Sequence, residues 1–307
     1  MRNGLFIIST IFILISITVS IGITLPKTKT QQHIKIENPS PVTNFSLSTA
    51  FEHLMYSYAS YCTEVELSNW TCPYCTLNGY LQPLRVTQYL VNNSTNTFGY
   101  IGVTGDNQTV VVTFRGTQFS SLENWITNLN FPKSQPYPSF SGALVHEGFY
   151  EAYRSVSSQL QVGIIQAQKE CPQCQKLIIT GHSLGGALAI LCALDVYESG
   201  YSQLPLEMYT FGNPRVGNVA FIEYFEQIVL QSIHRLVNDR DIVPHLPPID
   251  LNFYHLPIEV WFNNASAPLQ YKICNNSGED PSCSDSLDVA LNIEQHLDYM
   301  GINKDLC

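Results

Sequence analysis

The stretch LIITGHSLGGALA, residues 177–189, constrains the fold more than any other part of the chain. An apolar, β-branched run ends in a serine held between glycines, and small residues lead on into the apolar run ALAILCALDVY, so a buried strand must become a helix within a few residues. Gly181 and Gly185 stand two residues either side of Ser183. They remove side chains that would collide in so tight a turn, which lifts the hydroxyl clear of the sheet with the positive end of a helix behind it. The five-residue pattern alone is weak; the strand before it and the helix after it give it weight.

The rest of the chain supplies a setting for such a turn. Apolar positions Phe51, Leu54, Met55 and Tyr58 have helical spacing, and strand-like runs follow at 84–91, 97–103 and 109–114. A long helical pattern at about 148–168 precedes strand 176–180, helix 184–197, strand 206–211, helix 218–231 and strand 232–237. Further strands are expected near 254–262 and 269–273, and a last helix near 286–300. Antiparallel strands at both ends flank central βα units, so the expected fold class is α/β, a central mixed, mostly parallel sheet flanked by helices. With 307 residues, 45% hydrophobic and 13% charged, the chain can bury one large core.

The formal net charge of -10 excludes a nucleic-acid footprint, which needs clustered Lys and Arg. Arg2 precedes an apolar run at 5–23 with small residues Ser20 and Gly22 near its end, a pattern that predicts a signal peptide over 1–24. Residues 25–44, with Pro26, Pro39 and Pro41 and little periodicity, read as a linker or short pro-segment, leaving 45–307 as the folded domain. Asn44, Asn69, Asn92, Asn93, Asn107, Asn264 and Asn275 each open a glycosylation triplet, which fits a secreted glycoprotein. Nine cysteines imply bridges plus one leftover thiol, with Cys192 in its apolar helix the natural leftover. The pairs CPYC (Cys72, Cys75) and CPQC (Cys171, Cys174) have redox spacing, but Cys72 follows ELSNWT, read as a loop, and Cys171 ends an amphipathic stretch; structural bridges are the reading.

A serine hydroxyl needs a histidine, itself oriented by a carboxylate, to become a nucleophile at neutral pH. After an elbow of this kind the partners follow in the order acid, then histidine. Asp239, Asp241 and Asp250 are available acids, and His245, His255 and His296 available bases; position favours Asp241, at a strand end, and His296, near the C-terminus. The backbone N–H of Leu184, at the helix start, is one donor for a developing oxyanion. Ser120 and Glu123 have capping-box spacing, and Leu122, Trp125, Ile126 and Leu129 fall on one face of a short helix.

The motifs VVVTFRGT, ENWITNL, VHEGFYEAY, ITGHSLGGALAILCALDVY, YTFGNPRVGN, VNDRDIVPHLPP and HLDYMGINKDLC occur in that order. Together they strongly resemble the fungal-type class 3 lipase family, in particular zygomycete triacylglycerol lipases, over roughly 45–307. The resemblance implies an α/β-hydrolase fold with a short helical lid. It assigns Ser183 as nucleophile, Asp241 as triad acid, His296 as triad base and Thr117 as the second oxyanion residue, and it makes the helix of Leu122, Trp125, Ile126 and Leu129 the lid. It also implies the bridges Cys62–Cys307, Cys72–Cys75 and Cys274–Cys283, whereas Cys171–Cys174 rests on proximity. Met300 stands where the resemblance implies an aromatic residue.

The expected activity is serine ester hydrolysis of acylglycerols at a lipid–water interface, with no metal or organic cofactor and no obligate protein partner. Phospholipase A1 or feruloyl-type esterase activity on the same fold is the alternative. A catalytically inactive secreted lipid-binding protein is the alternative of another class; it would be expected to lack a triad or oxyanion residue, and the matching residues are present.

Overall fold

A computed structural model describes residues 45–77, 81–118, 121–123, 126, 130–228, 230, 232–287 and 292–307. The predicted signal and linker segments, 1–44, lie outside the described residues.

Strands β1 (Leu84–Asn92), β2 (Thr97–Thr104) and β3 (Thr109–Phe114) form an antiparallel meander. The short strands β4 (Lys133–Ser134) and β5 (Val145–His146) pair apart from the main sheet. Strands β6 (Lys176–His182), β7 (Leu206–Phe211), β8 (Ser232–Asn238) and β9 (Glu259–Phe262) continue from β3 in parallel, and β10 (Lys272–Ile273) closes the edge antiparallel to β9. The order is β1-β2-β3-β6-β7-β8-β9-β10, a mixed eight-stranded sheet.

Period-two alternation divides the core between the two faces of this sheet. Val110, Val112, Leu177 and Ile179 face one apolar cluster, while Val111 and Ile178 between them face the other. The first cluster packs under helices α4 (Glu147–Arg154), α5 (Ser157–Glu170) and α6 (Leu184–Ser199), and the second under α1 (Leu47–Ala59). Helix α6 is apolar nearly all round because the sheet and the neighbouring helices enclose it, and Cys192 is its buried free thiol.

Several elements differ from their sequence pattern. The helical pattern at 148–168 is two helices: Ser155 and Ser157 hydroxyls donate to the carbonyls of Ala152 and Arg154 and hold the break between them. ELSNWT is not a loop, since α2 (Glu64–Asn69) starts at a capping box of Thr63 and Glu66. Cys72 itself N-caps α3 (Pro73–Thr76), with Pro73 supplying the favoured first-turn residue. After Asn218, whose side chain accepts from Phe221 N–H, α7 (Val219–Phe225) stops well short of 231. The last helix is only α8 (Ile293–Leu297), because the chain turns directly into the hairpin of β11 (Asp298–Tyr299) and β12 (Ile302–Asn303). Met300 and Gly301, both at positive φ, make that turn.

Bridges join Cys62 to Cys307, Cys72 to Cys75, Cys171 to Cys174 and Cys274 to Cys283. The first closes a span of 245 residues and fastens the C-terminal hairpin to the end of α1.

Candidate active site

The parallel strands β3, β6, β7 and β8 end on one side of the sheet, where the loops that follow them converge. At the end of β6, Ser183 adopts φ 59° and ψ -132°, a conformation costly for a residue with a side chain, by about 1–3 kcal/mol. The surrounding backbone enforces it. Ser183 N–H donates to Phe211 O at 2.8 Å, and a Cβ on Gly181 would strike the backbone of Gly185. Ser183 is fully buried.

Asp241 lies in the loop after β8 and His296 on α8, 55 positions apart in sequence and both fully buried. His296 Nδ1 lies 2.9 Å from Asp241 Oδ2 and 3.0 Å from Oδ1, and the carboxylate can only accept, so Nδ1 carries the proton. Nε2 is thereby left as the basic nitrogen. It has no hydrogen-bond partner among the described residues, and the same is true of Ser183 Oγ, so the two are not hydrogen-bonded to each other. Such contacts are commonly long before substrate arrives.

Two asparagines hold the loops together. Asn292 is bridged to Asp241 along the backbone and caps α8 by accepting from Gln295 N–H at 3.1 Å. At the end of β8, Asn238 Nδ2 donates to the carbonyls of Gln295 at 3.0 Å and Asp298 at 2.6 Å, clamping the helix that carries His296. The carboxylate is fixed as well: Tyr299 OH donates to Oδ2 at 2.6 Å and Val243 N–H to Oδ1 at 2.9 Å. Sequence reasoning missed Asn238, Asn292 and Tyr299. Their positions next to Asp241 and His296 in VNDRD, LNIEQH and HLDY are the only signal the sequence holds.

Thr117 follows β3, and Leu184 is the first residue of α6, where an N–H has no carbonyl one turn back. Both line a cleft of about 360 Å³ with Gly116, His146, Phe149 and Asn96. Burial pushes His146 down to about 4, so a neutral ring faces the cleft near neutral pH.

The remaining sequence candidates lie elsewhere. His255 Nε2 donates to Pro244 O at 2.7 Å, and His245 approaches Asp285 at 3.8 Å. Asp239 O accepts from Trp261 Nε1 at 3.0 Å, while Asp250 is exposed. In the segment expected from the sequence to be a lid, Leu122 is buried and Ile126 half-buried; Trp125 and Leu129 lie outside the described residues. Glu259, Cys274 and Cys283 lie close together, but both cysteines are spent in a bridge and offer no thiolate to a metal.

The family model for class 3 lipases matches residues 111–251, which include the end of β3, the elbow and Asp241. The lipase of Rhizomucor miehei is 40% identical over 255 residues, covering 81% of this chain and 67% of that protein. Against the Rhizopus niveus lipase the chain spans 62% of the relative's length. The secreted mono- and diacylglycerol lipase 1 of Fusarium solani is 29% identical over 273 residues, covering 84% of this chain and 77% of that protein. Among solved structures, a triacylglycerol lipase whose catalytic centre is described as a serine protease triad superposes with a TM-score of 0.76 at 35% identity, covering 86% of this chain and 98% of that one. A shared α/β-hydrolase fold and 40% identity to a lipase sustained over most of the chain place this protein in the class 3 lipase family.

Proposed function

We propose that this class 3 lipase hydrolyses the carboxylic esters of acylglycerols, triacylglycerol to diacylglycerol and fatty acid, with Ser183 as nucleophile. The observation that carries the reading is the buried Asp241–His296 pair, whose Nε2, like the elbow hydroxyl of Ser183, has no hydrogen-bond partner among the described residues. Ser183 Oγ attacks the ester carbonyl while His296 Nε2 takes its proton, and Asp241 stabilises the imidazolium that forms. The tetrahedral oxyanion sits between the N–H groups of Leu184 and Thr117. Collapse expels the alcohol, which takes the proton from His296. Water, deprotonated by His296, then attacks the acyl-enzyme, and the proton returns from His296 to Ser183 Oγ as the acid is released. None of these steps calls on a metal or organic cofactor.

The helical spacing of Leu122, Trp125, Ile126 and Leu129 in the sequence supports a lid with one apolar face that opens at a lipid surface. Exposing such a face to water costs several kcal/mol at about 25 cal/mol per Å², a cost that a lipid surface removes. Four bridges and the name of the Fusarium relative support secretion, with 1–24 as signal peptide, 25–44 as linker or pro-segment and 45–307 as the catalytic domain. The partner is then the lipid–water interface.

Initial rates on a long-chain triglyceride emulsion, phospholipid vesicles and a soluble feruloyl ester test the substrate class. The triglyceride should be turned over fastest, with a jump in specific activity above the solubility limit. A higher rate on phospholipid or feruloyl ester would replace the substrate assignment, and no turnover of any ester would leave a binding protein.

A further inference from the structure

His182, the residue just before the nucleophile, uses both ring nitrogens. Nε2 lies 2.8 Å from the backbone carbonyl of His296, which only accepts, so Nε2 carries the proton and Nδ1 is the acceptor. Tyr61 OH, 2.8 Å from Nδ1, must therefore donate to it. The same phenol oxygen accepts the N–H of Gly116 at 3.1 Å, and Gly116 immediately precedes Thr117. Read in order, Gly116 N–H donates to Tyr61 OH, Tyr61 to His182 and His182 to His296, a chain in which each donor polarises the next.

We propose that Tyr61 and His182 are positioning residues that lock the oxyanion strand end, the elbow and the base into one geometry. The proposal rests on the triad reading above.

Three consequences follow. The Gly116 amide is committed to Tyr61, which leaves the N–H of Thr117 as the strand-end donor for the oxyanion. The chain reaches the main chain of His296, whereas Asp241 and Tyr299 act on its ring side, so the imidazole is held from both ends. Finally, the rings of His182 and His296 lie 4.5 Å apart, so a proton on His182 would oppose the imidazolium formed in catalysis; Tyr61 occupies the lone pair that would take it. Burial and the neighbouring His296 both push His182 well below the usual histidine range. Tyr61 is itself braced: Lys304 Nζ sits 4.7 Å from its ring centroid, and the next residue is bridged to Cys307.

The test is a double-mutant cycle on a soluble short-chain ester, which avoids the interface. Tyr61→Phe keeps the ring and removes only the hydroxyl, and is expected to lower kcat roughly three- to tenfold with KM and Tm near wild type. His182→Leu removes both the acceptor for Tyr61 and the donor to the His296 carbonyl, breaking the chain at its middle. It is expected to fall to a similar level, and the double variant should lose less than about twofold more. Wild-type kcat in Tyr61→Phe, fully multiplicative losses, or a loss explained by a reduced folded fraction would overturn the proposal. If His182→Leu does not fold, Tyr61→Phe still decides. Ser183→Ala assayed alongside separates the two readings. Turnover persisting there removes the triad assignment; turnover lost there but unchanged in Tyr61→Phe removes the relay alone.

Discussion

Tyr299 and His296 share one oxygen of Asp241: the phenol donates to Oδ2 at 2.6 Å while the imidazole Nδ1 lies 2.9 Å from the same atom. A buried carboxylate that received only the histidine would be free to rotate and under-solvated. With the phenol and the Val243 amide in place it has one orientation, and the orientation of the ring follows from it.

Tyr299→Phe should therefore impair chemistry rather than binding. A hydrogen bond to a charged group is worth about 1.5–3 kcal/mol, which corresponds to a fall in kcat of roughly 10- to 100-fold with little change in KM. Initial rates on a soluble ester measure this, and an unchanged kcat would show the phenol to be dispensable.

Gly212 follows β7 with φ 58°, and a Cβ there would lie 2.7 Å from both Asp241 Oδ2 and Tyr299 OH and 2.9 Å from His296 Nδ1. Gly212→Ala is expected to cost about 2 kcal/mol or more in stability, from a strained backbone and crowded site together. Activity per folded molecule should also fall, because the added methyl displaces the acid–base pair. Denaturant unfolding together with active-site titration checks both.

Ser183 reverses the usual cost of glycine. Ser183→Ala removes the hydroxyl and keeps the strain at φ 59°, whereas Ser183→Gly removes both. Both variants should be inactive. The glycine variant should be at least as stable as the alanine one, by up to about 1 kcal/mol, once its larger unfolded-state entropy is set against the relieved strain. A glycine variant clearly less stable than alanine would mean that the elbow is not strained.

Acid should weaken the fold through His53 and His234, whose rings both lie tilted against Tyr209 with ring centroids at 4.6 and 4.7 Å. Burial lowers both from 6.5 to about 4, and the charge of His53 adds to the lowering of His234. Between those values the unfolded chain binds protons that the native protein refuses. This contribution to stability is thus fully present above the unfolded value and lost as pH falls toward the folded one, on the order of 3 kcal/mol for each histidine. A Tm that drops through this window, with a shallower drop in His53→Gln, is the expected result; equal slopes would point to other groups.

The elbow and the apolar, β-branched strand runs were readable in the sequence because both are local. Such a run, or glycines two residues either side of a serine, has one good backbone solution whatever lies around it. Helix ends were less legible. The break near Ser155 and the shortness of α7 and α8 depend on side chains that cap carbonyls, or on a hairpin that claims the next residues. The motif resemblance carried the choice of acid and base further than local pattern did, since Asp239, Asp241 and Asp250, and His245, His255 and His296, look alike as residues.

What the sequence determined by itself was the chemistry on offer: a hydroxyl on a strand-to-helix turn, acids and histidines downstream of it, and cysteines for bridging. Tertiary structure alone decided which of them meet. Asp241 reaches His296 because Asn238 and Asn292 fasten two loops that are 55 positions apart where they bear those residues. Tyr61 reaches His182 across 121 positions because α1 packs on β6. Such meetings depend on how the loops and helices settle around a common sheet, and no window along the chain contains that information.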